Sequence, residues 1–139
     1  WVSNTGTGGD TSRSLKKRWQ EDVMNLKPDW VSLMIGINDI WRQFDTPTIP
    51  EQHVYPAEYR ENLCEMLERT LPVVKGVILM SPYYMELNRE DPMRKMTDDY
   101  LIYRYPAYIS WDRVHPGEIG SMIIAREFLK SVGMDRTLI

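Results

Sequence analysis

The chain has 139 residues, enough for one modest domain and too few for two. Its 17 Lys and Arg stand against 20 Asp and Glu, a formal net charge of −3, which argues against a nucleic-acid partner because phosphate binding needs a net basic face. No apolar run reaches the ~18 residues of a membrane span, no leader is expected from the opening Trp1-Val2-Ser3-Asn4, and Cys64, the lone cysteine, has no second thiol for a disulfide or a zinc site.

In chain order, Trp1-Val2 reads as the end of a strand, and Asn4 to Asp10 as a glycine-rich turn. Thr11 to Lys27 predicts a helix, capped by Thr11 or Ser12, with Leu15, Trp19, Val23 and Leu26 at helical spacing. Lys16-Lys17-Arg18 precedes Glu21-Asp22, so this basic run is a solvated helix face. Pro28-Asp29 stops the helix. Trp30 to Ile35 is a near-continuous apolar run ending at Gly36, the pattern of a parallel strand buried on both faces. A polar-aromatic loop is expected from Asn38 to about Tyr55. A helix then starts at Pro56, with Tyr59, Leu63, Met66, Leu67 and Leu71 inward and Cys64 a buried structural thiol. Gly76 to Met80 is a second buried strand, closed by Ser81-Pro82. A short helix over Pro92 to Tyr100 and a last one over Gly117 to Val132, with Met122, Ile123 and Leu129 inward, complete the reading.

Alternation of this kind predicts an α/β fold: a single domain over residues 1–139, with an open parallel sheet and helices on both faces. Ligands in such sheets bind beyond the carboxyl ends of the strands, where residues 4–12, 36–45 and 81–91 fall. Gly6 to Ser12 lies between a strand and a helix. No Gly-Lys-Ser/Thr follows, which excludes a Walker loop, and a third glycine is missing for a dinucleotide fingerprint. Two readings remain: a tight turn with a cap, or a donor site for a developing anion. Asn38, after the first full strand, either accommodates a turn or aims its amide into the crevice. Asp112 and His115, three apart before the last helix, are either a surface pair with no role or a carboxylate bonded to Nδ1–H that leaves Nε2 as a base. One loop offers too few ligands for a metal.

These segments together resemble the SGNH (GDSL-type) hydrolase family over nearly the whole chain. Asn4 to Ser12 looks like the family's second block, and its oxyanion donor maps to Gly9. Gly36-Ile37-Asn38-Asp39 looks like the third block, whose donor maps to Asn38. Asp112-Arg113-Val114-His115-Pro116 looks like the last block, with the acid and base of a triad. Within the family, Lys27 to Ser32, Ile37 to Asp45, His53-Val54-Tyr55, Asp91 to Arg94 and Trp111 are most similar to acetylxylan-esterase-like members. The resemblance implies a three-layer α/β/α, flavodoxin-like sheet and a serine esterase without metal or organic cofactor. Its substrate would be a small acylated molecule, a short acyl ester of a carbohydrate such as a xylo-oligosaccharide. Trp111 and Trp41 then either stack on a sugar or pack as core aromatics.

The family's first block, Gly-Asp-Ser with the nucleophile, is absent from these residues, and the chain jumps near Tyr100-Leu101 where the family continues a helix and a strand. Ser81 precedes Pro82 without a glycine-flanked elbow, and Ser3 and Ser12 read as turn and cap residues. The expectations are a domain truncated at its N-terminus and shortened near residue 100, inactive without the missing serine and prone to homo-oligomerise, in a cytoplasmic protein with no membrane partner. A lipid esterase of the same family and a non-catalytic fragment or pseudoenzyme are the alternatives.

Overall fold

Thr11 has an extended backbone, and its side chain accepts a hydrogen bond from the Ser14 N–H at 3.3 Å, which starts helix α1 (Ser12–Asp22). The computed structural model describes residues 1–80, 82, 90–97, 125, 128–130 and 133. Helix α1 is shorter than expected. Val23 leaves helical geometry (φ −125°, ψ −60°), a 3₁₀ turn follows over Met24–Leu26, and Lys27 closes it at φ 50°. The tighter turn keeps Val23 buried and rotates Leu26 out to solvent.

Strands β1 (Trp30–Met34) and β2 (Gly76–Met80) pair in parallel, from Trp30 opposite Gly76 to Met34 opposite Met80. Parallel strands need a crossover, here supplied by helices α2 (Ile37–Asp45) and α3 (Pro56–Thr70). Val31 and Leu33 of β1 are buried and Trp30 and Met34 are exposed. The expectation of two buried faces is therefore not met among the described residues. Helices α1 and α3 cover the Val31/Leu33 face, and Leu15, Trp19, Val23 and Met66 fill the space between.

Helix α2 occupies the start of the segment expected to be a loop. Ile37, Ile40 and Trp41 stand at i, i+3 and i+4, and they meet Val54, Tyr59 and Met93 in a second core. That short stripe was the overlooked signal. The rest of the segment contains a 3₁₀ turn, Pro50–Gln52, stapled to α1 by Arg13. The Arg13 guanidinium donates to the carbonyls of Glu51 (2.6 Å) and His53 (2.7 Å), and to both carboxylate oxygens of Glu58 (2.6 and 2.7 Å).

Proline at its first turn starts α3 where expected. Its buried face is Tyr59, Asn62, Met66 and Thr70 rather than the all-apolar set. Leu71 is exposed, and so is Cys64, which corrects its reading as a buried thiol: it projects away from the stripe that faces α1. Thr70 is tolerated in the interior because its hydroxyl accepts the Trp19 Nε1–H at 3.0 Å and donates to the Met66 carbonyl at 2.6 Å.

Helix α4 (Pro92–Thr97) lies within the predicted short helix, whose remaining residues 98–100 fall outside the described ones. Trp1 and Val2 are fully exposed and form no strand, since neither β1 nor β2 pairs with them. Leu129, expected to face inward, is 37% exposed, and Met122 and Ile123 lie outside the described residues.

Candidate active site

The loop before α1 is a tight turn closed by the Asp10 N–H donating to the Thr7 carbonyl at 3.3 Å. Gly9 sits in it at φ +82°, a conformation that disfavours any side chain. Arg18 holds the loop down. Its guanidinium donates to the Asp10 carboxylate (Nε to Oδ2, 2.9 Å) and to the Thr5 carbonyl (2.8 Å), and it also pairs with Asp22. The turn and the Thr11 cap of this segment are both formed.

Asn38 faces it. Half-buried at the start of α2, it donates from Nδ2 to the Asp10 carbonyl at 2.8 Å, one residue from Gly9. A primary amide has two N–H donors, and this bond uses one of them and orients the group. The corner from β1 into α2 turns on Gly36 at φ +124°. A Cβ there would lie 2.6 Å from Pro82 Cγ and 2.9 Å from Tyr59 Cε2. The Tyr59 hydroxyl donates to the Ile35 carbonyl at 3.1 Å and fixes the same corner.

Sequence reasoning missed Asp39. It is fully buried at the third position of α2. Its carboxylate accepts from the Ser12 N–H (2.9 and 3.1 Å to the two oxygens) and from the Ser12 hydroxyl. The Ser12 Oγ in turn accepts from Asn62 Nδ2 at 3.0 Å. Ser12 is therefore a buried link between helices, and the cap is Thr11. Burial pushes the Asp39 carboxyl above its ordinary range, and the hydrogen bonds from Ser12 oppose that rise. The available signal was an acidic residue in the first turn of an apolar helix.

Trp41 is half-buried and packs on the second core, with the Arg42 guanidinium carbon 5.3 Å from its ring centroid. Arg42 also donates to the Asp45 carboxylate at 2.8 Å, and a Cβ on Gly9 would lie 3.7 Å from its Nη2. Gly9, Asn38 and Arg42 are thus brought together, with Trp41 beside them. Asp112, His115, Trp111 and Ser81 lie outside the described residues. Among the described residues, no group of three or more His, Cys, Asp or Glu could hold a metal ion, and no helix is long and apolar enough to cross a membrane.

An open parallel α/β sheet, with a glycine turn and an Asn-bearing helix start meeting at the carboxyl end of a strand, is of the SGNH (GDSL-type) hydrolase class. The chain belongs to the GDSL-like lipase/acylhydrolase family, which matches residues 1–122, and it is a carboxylic ester hydrolase. An acetylxylan esterase of Geobacillus stearothermophilus is 46% identical, over 96% of this chain and 73% of its own length. The crystal structure of that organism's Axe2, an acetylxylan esterase, superposes with a TM-score of 0.88 at 45% identity, covering 98% of this chain and 74% of Axe2. LAE5, an α/β hydrolase from the metagenome of Lake Arreo, Spain, gives 0.87 at 43% identity, covering 96% and 73%. The catalytic mutants of Axe2 replace a serine, an aspartate or a histidine by alanine, the last two positions three residues apart.

Proposed function

We propose that the protein is a serine esterase that removes acetyl groups from the hydroxyls of a carbohydrate such as a xylo-oligosaccharide. The observation that carries the reading is the Asn38 amide oriented on the Asp10 carbonyl beside the Gly9 turn, in a chain 46% identical to an acetylxylan esterase. The Gly9 N–H and the second Asn38 N–H donate to the oxyanion as the carbonyl becomes tetrahedral. His115 takes the proton of the attacking serine, which these residues do not include, and returns it to the leaving sugar alkoxide. Asp112 orients the ring and stabilises the imidazolium. The three-residue spacing of Asp112 and His115, equal to that of the two positions in the Axe2 catalytic mutants, supports these roles. Trp111 and Trp41 provide stacking surfaces for the sugar.

The test compares kcat and KM on acetylated xylo-oligosaccharide and on p-nitrophenyl acetate, in the enzyme with its serine-bearing block. Asn38→Ala lowers kcat by about 10²–10³-fold on both substrates with little change in KM. Asp112→Asn lowers it by roughly 10²–10⁴-fold, since the amide favours the wrong imidazole tautomer. Trp111→Ala harms the oligosaccharide far more than the small ester, which has no ring to stack. Equal losses on both substrates remove the sugar-platform role, and an unchanged kcat in Asp112→Asn removes the triad.

A further inference from the structure

We propose that Asp39 is the positioning residue of the oxyanion hole. Its buried carboxylate, wedged between the first turns of α1 and α2, sets the register of the Gly9 loop against Asn38. The proposal rests on the reading of Gly9 and Asn38 as oxyanion donors and explains how that pair is held.

The polarity of the hydrogen bonds is determined at every step. Asn62 Nδ2 can only donate, so the Ser12 Oγ accepts from it at 3.0 Å. The Ser12 hydroxyl hydrogen is thereby directed to Asp39, and the Ser12 N–H donates to the same carboxylate at 2.9 and 3.1 Å. Ser12 is the first residue of α1 and Asp39 the third of α2, so one negative group receives the positive ends of two helices. Ser12 and Asp39 are fully buried and Asn62 nearly so, and water cannot substitute for a lost partner.

The two donors hang directly from this bond. Asn38 precedes Asp39 in sequence, and Gly9 precedes Ser12 by three residues. Between them the Asn38 amide reaches the Asp10 carbonyl at 2.8 Å, a contact that requires the two helix starts to keep their separation. Arg18 secures Asp10 from the other side. Asp39 therefore acts through Asn38 and the Gly9 loop and touches no substrate.

The experiment is a double-mutant cycle between Asp39→Asn and Asn38→Ala in the serine-bearing enzyme, read as kcat and KM on p-nitrophenyl acetate. Asparagine keeps the shape of Asp39 but turns an amide donor toward the Ser12 donors. Asp39→Asn is expected to lower kcat by about 10–100-fold with KM nearly unchanged, since a small misplacement of a catalytic group is enough for that loss. With Asn38 already alanine, the same change is expected to cost several-fold less. A residue that only stabilises the fold gives independent, multiplicative losses, which for unlinked sites agree within about 2-fold. Ser12→Ala removes the hydroxyl donor without adding a group, and serves if Asp39→Asn does not fold. It too is expected to lower kcat while leaving KM unchanged. Full kcat in Asp39→Asn and Ser12→Ala, or multiplicative losses in the cycle, overturns the positioning role. Full kcat in Asn38→Ala overturns the oxyanion assignment itself.

Discussion

Asp39 and Glu58 are two carboxylates that the fold shifts in opposite directions. Burial holds Asp39 above its ordinary range, whereas the hydrogen bonds from Arg13 hold Glu58 below its own. The raised Asp39 value means that folding favours its protonated form. Its contribution to stability is complete below the unfolded pKa of about 3.9 and is lost as the pH rises through the folded value. For Glu58 the contribution is present above about 4.3 and is lost as the pH falls through its lowered value. Melting temperatures followed from pH 7 down to about pH 3 test both signs. The deficit of Asp39→Asn relative to the parent should be widest at the acid end and narrow toward neutrality. The deficit of Glu58→Gln should be present at neutrality and close in acid. Two deficits that move together contradict the assignment.

At the scale of the element, the corner between β1 and α2 places Asn38 and Asp39. Gly36 turns it at φ +124° with Pro82 and Tyr59 crowding the place where a Cβ would stand. A methyl group there meets both neighbours and a backbone conformation that L residues rarely adopt. Gly36→Ala should therefore cost about 3 kcal/mol, combining overpacking with the left-handed strain. Gly8, by contrast, has open space where a Cβ would stand, with no atom within 4 Å, so Gly8→Ala should change stability by no more than about 0.5 kcal/mol. Urea denaturation of the two variants compares them directly, and equal losses contradict the account of the corner.

At the scale of the whole molecule, α1 and α3 are joined across the core by polar pairs as well as by apolar packing. Trp19 Nε1 donates to the Thr70 hydroxyl at 3.0 Å, and both residues are buried. Thr70→Val keeps the volume and leaves the indole N–H without its acceptor. The expected cost is about 1–3 kcal/mol in chemical denaturation, with kcat on p-nitrophenyl acetate retained, because this pair does not take part in the hydrogen bonds around Gly9 and Asn38. A loss of kcat at full stability contradicts the separation of core from site. Arg13 does the equivalent work nearer the surface, joining α1 to α3 and to the 3₁₀ turn at Pro50–Gln52.

Legible in the sequence are the α/β class, both paired strands and the starts of α1 and α3. Each rests on a local signal: apolar runs between turn residues, Thr11 as a cap, Pro56 in a first turn, and glycines where the chain must turn. Helix α2 is not legible because Asn38 and Asp39, both turn-forming residue types, stand in its first turn, and its apolar stripe is only three residues deep. The exposed Cys64 and Leu71 and the polar face of α3 were misread because periodicity ranks apolar residues and does not see that Asn62 and Thr70 have partners. Those partners come together only in the folded chain. Ser12 meets Asp39 across 27 positions and Asn62 across 50. A buried polar group is tolerated only where its hydrogen bonds are made, and the groups that make them are neighbours in space rather than along the chain.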